Sequence, residues 1–179
     1  MLFLINLPVK IVRMFTSNVS ATEIAAGICL GMFIGFVPMN GLITLFLFVC
    51  LFVFKINRLA SIIAVPLFKL FYILGLSYLA DFVGGIFLIN FEFLKSFWNF
   101  LVSLPIIAYL DLNNTLVTGG LIISLVLVAP VYFLSVKGIT LLREKYFNKI
   151  KDSKVVAWFK KLPIIGKIVS LILKVMGPE

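Results

Sequence analysis

Apolar residues fill four stretches of the chain, and proline, glycine or charged residues separate them. These stretches are 21–36, 41–54, 59–80 and 118–136. The first begins after Ser20, and Glu23 follows three positions later, which is the spacing of a helix-capping box. It ends before Pro38, because the residue that precedes a proline is displaced from the helical region. The pattern therefore predicts a helix from Ala21 to Phe36.

The four stretches differ in length relative to the thickness of a membrane. Stretch 21–36 would measure about 24 Å and stretch 41–54 about 21 Å, whereas a bilayer core is about 30 Å thick. Stretches 59–80 and 118–136 are long enough to cross, with a kink expected at Pro66 in the first of them. The pattern thus predicts two transmembrane helices and one pair of shorter helices.

The short pair is predicted to form a helical hairpin, 21–54, whose tip contains Pro38, Asn40 and Gly41. Basic residues concentrate on the cytoplasmic side of a membrane, and they flank the hairpin at Lys10, Arg13, Lys55 and Arg58. Both ends of the hairpin should therefore face the cytoplasm. We favour a re-entrant hairpin; the alternative is an ordinary two-helix hairpin in a locally thinned bilayer.

Three glycines repeat at every fourth position in the first arm of the hairpin. Gly27, Gly31 and Gly35 lie close to one face of a helix, as a row of small residues does where two membrane helices approach closely. We expect this row to let another helix pack tightly against the first arm.

Amphipathic segments flank the predicted membrane domain, 21–136. Segment 1–20 carries a polar stripe opposite an apolar side, which predicts an interfacial helix. Segment 81–114 holds three carboxylates and one lysine, a net charge of −2, and is predicted to be an amphipathic or re-entrant element on the periplasmic side. Segment 137–179 is a basic cytoplasmic or interfacial tail, for which anionic lipid is a simpler partner than nucleic acid. Its basic residues nearest the last span are Lys137, Arg143, Lys145, Lys149, Lys151 and Lys154.

Composition places these elements in one class of protein. The 179 residues are 63% hydrophobic and 13% charged, with a mean hydropathy of +1.21. A soluble domain of this size carries about a quarter charged residues, so we predict an all-α integral membrane protein. Histidine is absent and the seven carboxylates are scattered, which leaves no pattern for a metal site, a cofactor or a catalytic group. We therefore expect no enzymatic activity.

Lys69 lies near the middle of the predicted span 59–80, where a charge costs roughly 2.5–3.5 kcal/mol on insertion scales. It could attract a lipid phosphate into a groove between the span and the hairpin, or it could reach the interface or bind carbonyl groups at the hairpin tip. Together with Asn40 and Arg58, it is a candidate for binding lipid headgroups.

The glycine row belongs to a longer motif, A-x-G-x-x-x-G-x-F-x-G-F-x-P-x-x-G, from Ala25 to Gly41. This motif resembles the hallmark of a bacterial inner-membrane family called Domain of Unknown Function 2062. The segment Lys55-Ile56-Asn57-Arg58 and the aromatic-rich stretch after Pro66 are also similar to that family. The resemblance covers roughly residues 21–85. The family often has asparagine before this proline, where the present chain has Val65.

The resemblance implies a location in the inner membrane and implies no reaction. The distribution of basic residues separately predicts that both termini lie in the cytoplasm. Such family members are reported beside a large protein suited to bridging the cell envelope. Two functions therefore remain open. The chain could be a subunit of a phospholipid transport system that admits or flips lipid or feeds that partner. Alternatively, it could be a structural anchor that docks the partner through the glycine row.

Overall fold

The computed structural model of the protein describes residues 19–39 and 41–144. These residues are helical and contain no strand. The predicted helix at 1–20, apart from its last two residues, lies outside them, as do Asn40 and the tail beyond Glu144. The α-helices of the described residues are α1 Ala21–Gly35, α2 Leu42–Val53, α3 Arg58–Phe71, α4 Ser77–Gly85, α5 Glu92–Ser103, α6 Pro105–Ala108 and α7 Thr115–Leu142.

Helix α1 begins where the capping-box pattern predicts. The Ser20 hydroxyl accepts a hydrogen bond of 3.1 Å from the backbone N–H of Glu23, which satisfies one of the unpaired donors of the first turn. The helix ends at Gly35, before Pro38, so both predicted boundaries are confirmed to within one residue.

Within residues 19–39 and 41–144, two helical segments are long and apolar enough to span a membrane. One covers Arg58–Asn90, 33 residues that include α3, α4 and the π-helical turns Tyr72–Leu76 and Ile86–Asn90; the other is α7, with 28 residues. The predicted spans 59–80 and 118–136 each lie inside one of these segments. The first segment continues well past residue 80, into what was predicted to be a separate amphipathic element.

The first long segment is broken at Gly75 rather than at Pro66. Helix α3 continues through Pro66, whereas Gly75 has φ 154° and ψ −18°, a conformation that side-chain-bearing residues rarely adopt. No atom lies within 4 Å of the position that a Cβ on Gly75 would occupy. Glycine is therefore required there for its backbone conformation and not for close packing.

Helix α1 packs mainly against α3 and α7, and α4 packs against α7. Helices α1 and α3 run parallel, because Gly27 lies against Asn57 and Gly35 against Phe68. Helix α7 runs antiparallel to α1, and Ile139 reaches the cluster formed by Ile24 and Ala60. Helix α2 lies at the periphery, with only the face of Ile43, Thr44, Leu47 and Leu51 buried.

Polar residues gather at the two opposite ends of the helix bundle. We call one the basic end; it contains Val19–Glu23, Phe54–Arg58 and Lys137–Arg143. We call the other the acidic end; it contains Phe36–Met39, Gly41, Asp81 and Asp111–Thr115. The chain passes from the basic end to the acidic end in α1, returns in α2, passes again in α3 and α4, and returns in α7.

Candidate functional site

The glycine row of α1 lies against the backbone of α3. A Cβ added to Gly27 would be 2.5 Å from the carbonyl oxygen of Asn57, and one added to Gly31 would be 2.6 Å from the Cβ of Ala64. At Gly35 it would be 2.7 Å from the Cβ of Phe68. Distances this short leave room only for hydrogen. The expectation that the row lets another helix approach is confirmed. In the structure the helix that covers the row is α3 of the same chain rather than a separate partner protein.

Hydrogen bonds run along the same α1–α3 contact. The backbone N–H of Asn57 donates to the carbonyl oxygen of Glu23 at 3.0 Å, and the buried Ser61 hydroxyl donates to that of Gly27 at 2.7 Å. Buried polar groups are costly unless they are hydrogen-bonded, so these bonds fix the register of the two helices.

One side of the hairpin tip packs against protein, while Met39 is exposed. Val37 is fully buried and packs in one cluster with Ile43 and the neighbouring Leu110 and Leu112. The carbonyl oxygen of Pro38 accepts a hydrogen bond of 2.8 Å from the Thr44 hydroxyl, which pairs a backbone group left free by the proline turn. A Cβ on Gly41 would lie 2.9 Å from Oδ2 of Asp111, so the tip lies against the loop that precedes α7.

Lys69 is bound to this tip. Its Nζ donates a hydrogen bond of 2.8 Å to the carbonyl oxygen of Val37, and it lies 4.7 Å from the centre of the Tyr72 ring. The structure thus has Lys69 binding a carbonyl group at the hairpin tip, as one of the two sequence interpretations expected. The hydroxyl of Tyr72 is buried and has no hydrogen-bond partner within the described residues.

Arg58 has a similar role at the other end of the hairpin. Its Nε donates a hydrogen bond of 3.2 Å to the carbonyl oxygen of Leu51, in the last turn of α2, and its guanidinium lies 5.0 Å from the centre of the Phe52 ring. A cation that binds the last carbonyls of a helix stabilises the helix end. Lys69 and Arg58 are therefore both bound to the hairpin, and the structure does not bring the two together.

The predicted membrane-surface residues fall into two groups. Lys137 is exposed on α7, and Arg143 donates a hydrogen bond of 2.7 Å to the carbonyl oxygen of Val19, which ties the end of α7 to the start of α1. Lys145, Lys149, Lys151 and Lys154 lie outside the described residues. Among residues 19–39 and 41–144, no group of three or more His, Cys, Asp or Glu side chains could hold a metal ion.

A second set of close helix contacts was missed by the sequence interpretation. Added Cβ atoms on Gly84, Gly119 and Gly120 would overlap the carbonyl oxygens of Thr115, Ala80 and Phe36, respectively. The Thr115 hydroxyl also donates a hydrogen bond to the Asp81 carboxylate at the same contact. The signal was present in the sequence, since Ala80 and Gly84, and likewise Thr115 and Gly119, are small residues four positions apart.

Comparison with known proteins identifies a family that covers most of the chain. The profile of the family described as "Uncharacterized protein conserved in bacteria (DUF2062)" matches residues 8–147. The chain belongs to this family. No curated protein and no solved structure matches the chain. The DUF2062 match extends well beyond the 21–85 region that carried the resemblance, and it includes α7 together with the glycines that contact α1 and α4.

Proposed function

We propose that this DUF2062 protein is an inner-membrane subunit of a phospholipid transport system of the bacterial cell envelope. In this proposal it admits or flips phospholipid at the outer face of α2, and it passes lipid to a larger envelope-spanning partner. It needs no cofactor and has no enzymatic activity. The charges and dimensions of the helices support this proposal.

The distribution of charge supports the orientation of the chain. The basic end carries four cations, Lys55, Arg58, Lys137 and Arg143, and one carboxylate, Glu23. The acidic end carries the carboxylates of Asp81 and Asp111 and one cation, Lys69, whose ammonium group is bound at Val37. Since basic residues concentrate on the cytoplasmic side, the basic end should face the cytoplasm. Segments 1–18 and 145–179 adjoin that end in sequence, so both termini are expected there.

The observation that carries the proposal is the short apolar face of α2. Gly41 touches the charged Asp111 at one end of this helix, and the exposed Lys55 follows its other end. Lys55 follows Gly41 by fourteen positions, which corresponds to about 21 Å along a helix. By contrast, the apolar part of α7 before Lys137 measures about 30 Å, the thickness of a bilayer core.

The outer face of α2 must nevertheless face lipid, because most of its large side chains are uncovered. Leu45 is 60% exposed and Phe52 is 67% exposed, although α2 is entirely apolar apart from Thr44. A mismatch of about 9 Å costs a fraction of a kcal/mol per ångström, and the bilayer relieves it by thinning. A lipid headgroup would therefore cross a shorter apolar distance beside α2 than elsewhere, which favours flipping at this face.

We infer a hairpin in a locally thinned bilayer rather than the re-entrant hairpin that the sequence pattern favours, and labelling can distinguish the two. Met39 is exposed at the tip, and Asn113 is exposed in the neighbouring loop. A cysteine at either position, in a chain whose own cysteines are replaced by serine, should react with a membrane-impermeant maleimide added from the periplasmic side. Labelling at Asn113 without labelling at Met39 would support the re-entrant hairpin instead. Labelling of Lys55→Cys from the same side would overturn the orientation.

The function itself can be measured with the purified protein in vesicles that contain a fluorescent phospholipid analogue. A membrane-impermeant reductant quenches the outer leaflet, and flipping exposes the inner-leaflet fraction as well. The protein should accelerate this loss in bilayers of ordinary thickness, and it should add little in short-chain bilayers whose core is close to the length of α2. No acceleration by folded, inserted protein would rule out flipping by this chain alone. Equal acceleration in both bilayers would exclude the mismatch as its cause.

A second candidate function is that of an anchor for the larger partner. Helix α5 favours it, because its main contacts are with α6 and the adjacent turn Ile86–Asn90 rather than with the helix bundle. Phe97 and Phe100 on α5 are more than half exposed, while Trp98 donates a hydrogen bond to the carbonyl oxygen of Phe87. If the protein fails to flip lipid, co-purification with an envelope protein that depends on Phe97 and Phe100 would support this function.

A further inference from the structure

A groove opens between α1, α7 and the turn that joins α2 to α3. Leu30 and Phe33 of α1, Val128 and Tyr132 of α7, and Phe54 and Ile56 of the turn form its mostly apolar wall. Its volume is about 380 Å³. This lies in the range of small-molecule sites, and it is large enough for a section of one lipid acyl chain.

A second, more polar groove lies on the other side of the same turn. It has a volume of about 400 Å³ and is lined by Glu23, Asn57 and Arg58, and it shares Phe54, Lys55 and Ile56 with the apolar groove. The turn therefore separates an apolar compartment from a charged one. Such a pairing matches the acyl chain and the headgroup of a phospholipid.

Lys55 is the cation best placed to bind a headgroup at this boundary. It lines both grooves and is exposed, and no described residue forms an ion pair or hydrogen bond with its ammonium group. Arg58, by contrast, is already bound to the carbonyl oxygen of Leu51 and to the Phe52 ring. Helix α3 begins at Arg58, so the positive end of its dipole adds to the attraction for an anion. The single carboxylate of the charged compartment, on Glu23, is outnumbered by the two cations.

We propose that this double groove binds one anionic phospholipid of the leaflet at the basic end, with an acyl chain in the apolar compartment and the phosphate on Lys55. This inference deepens the proposed function and rests on it, since the bound lipid would be the one that moves to α2. The charge complementarity at Lys55 selects an anionic phospholipid over a zwitterionic one. Binding to this groove is a separate event from flipping and can be measured without it.

The experiment uses the full chain in nanodiscs that contain phosphatidylglycerol with a photoactivatable acyl chain. After illumination, mass spectrometry measures the labelled fraction of the peptides that carry Leu30, Phe33 and Tyr132. Lys55→Gln should lower this labelling about fivefold, which is the expected effect of removing one basic residue near an anionic headgroup. Lys137→Gln removes the same charge from the same end of the protein but away from the groove, so it should leave the labelling unchanged.

Three outcomes would overturn the inference. Equal losses in the two variants would mean a general attraction to the membrane surface, and equal labelling by phosphatidylcholine would mean that the headgroup charge has no role. Absence of label from the groove peptides, in protein whose unfolding in detergent is normal, would mean that no acyl chain enters. Ala26→Phe, which fills the apolar compartment, should abolish the label while Lys55 is still present. Labelling without flipping would support lipid binding in the groove and refute only the proposed function. Flipping without labelling would refute only lipid binding in the groove.

Discussion

The substitution Gly31→Ala tests the closest helix contact in the glycine row. The added methyl group would lie 2.6 Å from the Cβ of Ala64 and 2.7 Å from the carbonyl oxygen of Ser61. Carbon atoms prefer about 3.5–4.0 Å, so α1 and α3 would have to separate by roughly 1 Å at this level. The neighbouring hydrogen bond from the Ser61 hydroxyl to Gly27, now 2.7 Å, would lengthen with them.

The magnitude follows from three contributions. Overpacking a tight contact costs about 1–3 kcal/mol, and a hydrogen bond between membrane helices contributes about 0.6 kcal/mol. Alanine gains up to about 1 kcal/mol over glycine in a helix. We therefore expect Gly31→Ala to lower the free energy of unfolding by about 0.5–2.5 kcal/mol. Gly138→Ala is the matched control, because nothing lies within 4 Å of its added Cβ, and it should be neutral or stabilising.

The assay is unfolding in mixed micelles with increasing SDS, followed by the reactivity of the buried Cys29 thiol in a Cys50→Ser background. Ala64→Gly removes the nearest of the clashing atoms, so combining it with Gly31→Ala should restore some of the lost stability. The Ser61 carbonyl would still be too close, and the rescue should remain incomplete. If Gly31→Ala is as stable as Gly138→Ala, the close packing of α1 on α3 is wrong.

Two further predictions use the same background. Gly75→Ala should lower the free energy of unfolding by about 1–3 kcal/mol, because alanine is strained at the positive φ of this position. Gly85→Ala is the control and should not destabilise the protein, since Gly85 has φ −59° and an equally open Cβ position. If the two variants unfold at the same SDS concentration, the break in the helix at Gly75 is wrong. Cys29 lies with its Sγ 3.7 Å from the carbonyl oxygen of Val128, and it lines one groove together with Val128 and Tyr132. In the Cys50→Ser chain, at least one of the variants Val128→Cys and Tyr132→Cys should therefore form an intramolecular disulfide on mild oxidation. Failure of both crosslinks in folded protein would contradict the packing of α1 on α7.

Several features of this arrangement could be predicted because they depend on local patterns. The Ser20 cap, the end of α1 before Pro38 and the packing face of the glycine row all follow from residues a few positions apart. The spacing of Gly27, Gly31 and Gly35 indicates a face of close approach but does not name the helix that meets it. The symmetry of the hairpin predicts a similar depth for Cys29 and Cys50 but not the direction in which either faces, and in the structure Cys29 faces α7.

Other features have weaker signals in the sequence or none. Lys69 donates its hydrogen bond to the backbone carbonyl of Val37. Every residue type has such a carbonyl, so the sequence does not show which residue is the partner. Gly75 lies in an apolar run, where a glycine required for its φ looks the same as one required for packing. Gly84 and Gly119 are different, because each has a small residue four positions before it, and the same rule that identified the first row would have found them.

The bond between Arg143 and the carbonyl of Val19 joins positions 124 residues apart, and it has a consequence for biogenesis. The two arms of the hairpin touch each other little, so the hairpin leaves its tightest surfaces open until later segments of the chain have been synthesised. Helix α3 covers the glycine row first, and α7 arrives last, antiparallel to α1. Contacts of such long sequence separation form slowly, since loop-closure entropy is lost before they are made. Until α7 has emerged, the nascent chain would therefore lack the helix that covers the second face of α1, and it would depend on other molecules to shield that face.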